Sequence, residues 1–241
     1  SAATFFGRQS EVNLSGGFGT VRLGNFIAES YYATADYVSM HNHDTGSSSD
    51  ALYAGVMRDV NKIGYRTPTF GGLTIDAAVS LHEATTGTSG KNAFDLAANY
   101  NLGALALGAG YSKQGDVNQF AARALYTFGA FTVGGYVQRD EDAFVANGGK
   151  RNTFRLAGAY NMGASEFHVN VGRAGEYKNT PDSDATQYTL GYNYNLSKRT
   201  KVYGYYTRVS NSSGARYVLN NAATPAGSDF SSVAVGVRHN F

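Results

Sequence analysis

The feature that most constrains this chain is an alternation of side-chain polarity that restarts again and again after the same small turn. YNLGALALGAGY begins at Tyr100, YTFGAFTVGGYV at Tyr126, YNMGASEFHVNV at Tyr160 and YNLSKRTKVYGY at Tyr194. Each unit has a tyrosine, a turn centred on Gly or Ser, and a run in which every second residue is apolar. A period of two belongs to a strand whose faces meet different surroundings, and a tight Gly turn closes a hairpin. Composition agrees: 30 Gly, 18 Tyr and 14 Phe stand against 3 Pro in 241 residues. Gly costs a helix about 1 kcal/mol relative to Ala, and aromatic residues prefer strands.

Reading with this period gives about thirteen strands, near 5–15, 18–25, 58–67, 73–83, 92–101, 104–113, 118–128, 131–140, 152–162, 165–174, 186–196, 200–210 and 230–241. Their connections read as alternating strictly between short and long. Sorting of this kind predicts an up-and-down antiparallel meander with the short turns at one end, as in membrane barrels, rather than a Greek-key sandwich.

The facing pattern identifies the surroundings. Phe94, Leu96, Ala98 and Tyr100 oppose Ala93, Asp95, Ala97 and Asn99; Phe154, Leu156, Gly158 and Tyr160 oppose Thr153, Arg155, Ala157 and Ala159; Val233, Val235, Val237, His239 and Phe241 oppose Ala234, Gly236, Arg238 and Asn240. One side is bulky and apolar, while the other is too small and too charged to pack a dry core. We read the apolar side as facing lipid and the polar side as facing a water-filled lumen. Tyr100, Tyr126, Tyr160 and Tyr194 then share one level beside the short turns, where a ring keeps its body in lipid and its hydroxyl among headgroups. Mean hydropathy is −0.30, and no run approaches the roughly 18 apolar residues of a spanning helix, which leaves strand spanning open. The absence of Cys excludes disulfides and thiolate metal sites, and a net charge of +2 is too small to point to nucleic acid.

The segments FFGRQSEVNLSGGFGTVRLGN at 5–25, GYRTPTFGG at 64–72, NLSKRTKVYGYY at 195–206 and VAVGVRHNF at 233–241 resemble the general porins of Gram-negative bacteria, in particular the trimeric beta-proteobacterial type. The resemblance implies an all-β transmembrane antiparallel up-and-down β-barrel of about sixteen strands, a long connection folded inward as a constriction, a homotrimer, and location in the outer membrane. It matches 5–25 to the fourth and fifth strands. That match, together with the inability of an odd number of antiparallel strands to close, leads to the expectation that residues 1–241 are one barrel domain lacking about three N-terminal strands.

The long connection at 26–57 is the candidate constriction loop, because a loop of this length in a compact unit is usually functional or disordered. Its acids Glu29, Asp36, Asp44 and Asp50 are expected on one side of the narrowing. Strand parity puts Arg58, Lys62 and Arg66 on one face and Arg8 and Arg22 on polar faces; the resemblance matches Arg8 and Arg58 to the family's constriction arginines. Parity turns Arg8, Arg22, Arg58, Lys62, Arg66, Arg123, Arg155 and Arg238 inward with only Asp76 and Asp95 among the strand acids. A basic surplus in a passage narrower than the Debye length of about 8 Å favours anions. Gln9, Glu11 and Asn13 are expected to point outward into a subunit contact, with a slipped register as the competing explanation.

Weaker patterns carry less. His41, His43 and Asp44 provide a sparse ligand set on a loop, and a solvated loop is the favoured reading. Gly16 to Gly19 and Gly108 to Gly110 lack the helix that a phosphate cradle needs. The expected function is passive diffusion of small anions and hydrophilic solutes, without catalytic residues, cofactor or metal, in a lipid bilayer containing lipopolysaccharide. The alternatives are a barrel enzyme or a loop-mediated adhesin; His82 and His168 show no Ser and Asp partners at a legible spacing.

Overall fold

The computed structural model describes residues 9–36, 50–56, 59–83, 90–219 and 224–241. They form β1 (Ser10–Gly16), β2 (Gly19–Asn25), α1 (Glu29–Thr34), β3 (Lys62–Arg66), β4 (Leu73–Ser80), β5 (Ala93–Leu102), β6 (Leu105–Gln114), β7 (Val117–Phe128), β8 (Phe131–Glu141), β9 (Lys150–Met162), β10 (Ser165–Ala174), β11 (Ala185–Asn195), β12 (Thr200–Asn211) and β13 (Phe230–His239). All strands lie in one 13-stranded sheet in chain order, each antiparallel to its neighbours. Among the described residues β1 and β13 stand at the two ends of the sheet, unpaired with each other.

Turn chemistry sets the register. Leu102 faces Leu105, Phe128 faces Phe131 and Met162 faces Ser165 across two-residue turns. Gly103, the first turn residue, has φ +56°, as do its counterparts Gly129 and Gly163 within a few degrees; this left-handed conformation costs a residue with a Cβ about 1–2 kcal/mol. The expected strict alternation of loop lengths breaks once. Gln114 faces Val117, so Gly115 and Asp116 alone join β6 to β7 at the long-loop end. Gly115 has φ +64°, and this Gly-Asp turn is the hairpin type that needs such an angle.

The inside-out arrangement holds. Phe94, Leu96, Val235 and Val237 are exposed on the convex side, whereas Asp95, Arg123 and Arg155 are buried on the concave side. Tyr126 and Tyr194 are exposed beside the short turns, and Tyr126, Phe128, Phe131, Tyr160, Phe167 and Tyr192 form a run of neighbouring rings with centroids 4.5–6.4 Å apart. Among the described residues no helix is long and apolar enough to cross a membrane, so crossing falls to the strands.

One expectation is overturned in β1. Val12 and Leu14 are 73% and 66% exposed, and Glu11 bonds the inward Arg22. Gln9, Glu11 and Asn13 therefore share the lumen-facing side, and they give no support to an outward subunit contact. The physical reason is the register: Asn13 pairs with Arg22 and Val12 with Leu23, which keeps apolar opposite apolar toward lipid.

Candidate functional site: the lumen and its inward loop

The connection after β2 does not stay irregular. Residues Glu29–Thr34 form α1, which contacts β5, β6 and β7 on their inner side. Its seat is a strip without side chains: a Cβ on Gly108 would strike the Ala33 carbonyl, and one on Gly110 would come within 2.7 Å of Ser30. The small residues in the first repeated unit thus let a helix lie directly on the wall. Asp95 fixes it by accepting the Ser30 backbone N–H at 3.1 Å and the Ser30 hydroxyl.

At the start of α1 the charges interlock. Arg22 donates to Glu11 at 2.8 Å and to Glu29, while Arg66 reaches Glu29 at 2.8 Å and Asp76 at 2.6 Å. The Arg66 side chain is 41% exposed, whereas Glu29 and Asp76 are at 11% and 6%. Lys62 is buried, donating to the Phe26 carbonyl at 3.0 Å, and Lys62 and Arg22 stand 4.6 and 4.1 Å from the centre of the Phe26 ring. Asp59 lies 3.8 Å from Lys62; burial nevertheless pushes its carboxyl above its ordinary value, outweighing the lysine.

The far end of the loop is clamped separately. Asp50 accepts from the Arg155 guanidinium at 2.7 Å, from the Tyr136 hydroxyl, and from the backbone N–H groups of Leu52 and Tyr53. Gln187 takes the Ala51 N–H at 2.9 Å, Gln138 both accepts from and donates to the Ala54 backbone at 2.8 and 3.0 Å, and Arg151 donates to the Leu52 carbonyl at 3.0 Å. Arg151 is itself paired with buried Asp140 and donates to Tyr217 at 2.7 Å. Tyr53 packs edge-on against Tyr136, and burial holds its hydroxyl well above its ordinary value.

The expected residues therefore divide into groups. Arg22, Glu29 and Arg66 meet in one cluster beside Lys62. Asp50 pairs with Arg155 on another part of the wall, away from Lys62 and Arg66. Asp36 ends the helical turn, its N–H 3.3 Å from the Tyr31 carbonyl. Arg8, Arg58, Asp44, His41 and His43 lie outside the described residues. The count of inward charges missed Glu11, Asp140, Arg151, Glu166 and Lys201. Glu166 accepts from Asn193 and Asn195 at 2.7 Å, with Lys201 3.5 Å away. Asp140 already falls on the inward side of the strand read at 131–140, and extending the next strand by one residue finds Arg151. The predicted simple excess of basic residues is corrected accordingly, because acids stand beside Arg22, Lys62, Arg66, Arg151 and Arg155.

Between α1 and the wall on the short-turn side lies a polar cavity of about 390 Å³ lined by Glu29, Tyr32, Arg66, Asn99 and Arg123, among others. His168, the residue weighed for catalysis, has Nε2 3.1 Å from the Asn193 amide and 3.5 Å from Glu166.

The family model for Gram-negative porins matches residues 1–214. An outer membrane porin of Delftia acidovorans, Outer membrane porin protein 32, is 29% identical, over 98% of this chain and 74% of its own length. The solved anion-selective porin from Comamonas acidovorans superposes with a TM-score of 0.80 at 28% identity, covering 98% of this chain and 78% of that one. The outer-membrane expressed OmpT of Vibrio cholerae, at 19% identity, shares the fold with a TM-score of 0.71 over 96% of this chain and 80% of its own. With its lipid-facing strands, polar lumen and inward loop, the chain belongs to the Gram-negative porin family and is an outer-membrane β-barrel channel.

Proposed function

We propose that the channel passes small anions and hydrophilic solutes passively, with residues 26–57 as the constriction loop and the barrel assembled as a homotrimer in a membrane containing lipopolysaccharide. The observation that carries the anion preference is the unequal exposure within the Glu29, Arg66 and Asp76 set. The guanidinium reaches water while both carboxylates sit behind it, so a passing ion meets the positive member first. Inside a passage narrower than about 8 Å salt screens this only weakly. The Comamonas relative is an anion-selective porin, which supports the same reading. Lys62, Arg22 and Glu29 hold the cluster in shape, and Asp50 anchors the far end of the loop; Arg8, Arg58, Asp36 and Asp44 are proposed to complete the narrowing.

The test is the reversal potential across a planar bilayer in a salt gradient. Anion preference in the wild type, reduced in Arg66→Gln, is expected; cation preference refutes the reading. Ohmic steps arriving in threes are expected of a trimer, whereas a barrel enzyme or an adhesin with a plugged lumen gives none.

A further inference from the structure

We propose that the polar cavity beneath α1 binds a free α-amino acid with a short, uncharged side chain, its carboxylate on Arg123 and Asn99 and its ammonium on Glu29 and Tyr32. Its occupation rests on the channel reading, because the inward loop is what brings passing solutes to this part of the wall.

Two elements bring the two signs of charge to the cavity. Arg123 of β7 and Asn99 of β5 both pair with Gly108 of β6. A Cβ on Gly108 would come within 3.2 Å of Arg123 Nε, so the missing side chain lets the arginine lie flat across β6 toward Asn99, whose Oδ1 is 3.5 Å from Nη2. A bond of that length is weak, and a solute carboxylate at ordinary hydrogen-bond distance forms a stronger, charge-assisted one. Glu29 and Tyr32 come from α1, three positions apart and therefore neighbours on its surface. With Arg66 these residues border a space of about 390 Å³, a size at which small molecules are held.

Charge selects the class of solute. Around Glu29, three carboxylates, Glu11, Glu29 and Asp76, share the two guanidiniums of Arg22 and Arg66, and the neighbouring Lys62 is faced by Asp59 at 3.8 Å. Arg66 reaches water, so the surplus negative charge lies behind it, where Glu29 borders the cavity. The β7 side presents the guanidinium of Arg123. A simple anion answers Arg123 but brings a like charge up to Glu29, and a simple cation does the reverse. A neutral polyol leaves both partly desolvated charges without a counter-charge. A molecule carrying an ammonium and a carboxylate on one carbon answers both at once. Ala106 and Leu125 complete the lining and give a short side chain an apolar seat.

The experiment records single-channel current of the full chain in a planar bilayer, with solute added on the short-turn side at neutral pH. Probes are L-alanine; L-lactate, in which a hydroxyl replaces the ammonium; ethylamine, which lacks the carboxylate; and glycerol, which carries neither charge. L-alanine is expected to interrupt the current with a half-saturation on the order of millimolar, and the other three to do so at least about tenfold more weakly. Arg123→Gln removes the partner of the carboxylate, and Ala106→Leu fills the cavity without touching a charge. Each should weaken the interruption by alanine about tenfold, the effect of losing one strong contact, and open-channel steps in plain salt show that each variant has folded. Alanine silent in the wild type, lactate as effective as alanine, or alanine unchanged in both variants overturns the site. An anion-preferring channel on which alanine is silent sinks this inference and leaves the channel reading intact, whereas an absence of conducting steps sinks the channel reading itself.

Discussion

At the scale of single residues, the lumen wall holds both an arginine that reaches water, Arg66, and arginines buried under the loop, such as Arg155. Arg155 and Asp50 are buried at 1% and 8% side-chain exposure. Removing one partner of such a pair leaves an uncompensated buried charge and costs about 3–5 kcal/mol. Arg155→Gln and Asp50→Asn are each expected to lower the thermal midpoint clearly, followed by loss of β-sheet circular dichroism, while the reversal potential moves less than in Arg66→Gln. Asp59 behaves in the opposite sense. Its Oδ1 is buried without a hydrogen bond, and its carboxyl titrates above the ordinary value. The native state therefore holds a proton that the unfolded chain releases, and stability falls as pH rises through the window between the ordinary and the raised value. Asp59→Asn should flatten that dependence, as denaturant titrations at several pH values would show.

At the scale of elements, α1 depends on glycines in a different strand. Gly110→Val puts a branched side chain where a Cβ already comes within 2.7 Å of Ser30. The helix must lift off β6 toward the lumen axis, and a smaller single-channel conductance is expected. The repeated strand pattern was legible because a two-faced strand writes its surroundings into alternate positions. α1 was not. Six residues, ESYYAT, are too short for a helical period to stand out, and such a helix is held by tertiary contact rather than by propensity. The β6–β7 turn was misread as long for a related reason: Gln114 and Val117 extend both strands to the tip, but polar strand ends look like loop in sequence.

At the scale of the whole molecule, the two faces of the sheet should tolerate charge very differently. Val235 is 80% exposed on the lipid side, and its neighbour Ala234 faces the lumen. Val235→Lys is expected to cost about 2–4 kcal/mol at mid-depth, measured by reversible unfolding in lipid vesicles, while Ala234→Lys should leave stability nearly unchanged. Equal penalties would mean that the faces have been assigned the wrong way round.

The sequence by itself determined the strand pattern, the short turns beside the tyrosines and, outside β1, the face that meets lipid, because each follows from neighbours along the chain and a period of two. Only the tertiary structure decided how charges meet. Arg22 finds Glu11 through the register of a hairpin, and Arg155 finds Asp50 across a separation of 105 residues. A one-residue ambiguity in β1 was enough to turn Glu11 to the wrong side. Parity fixes a direction, whereas pairing depends on height along the barrel and on where a folded-in loop comes to rest, and neither is written into local sequence.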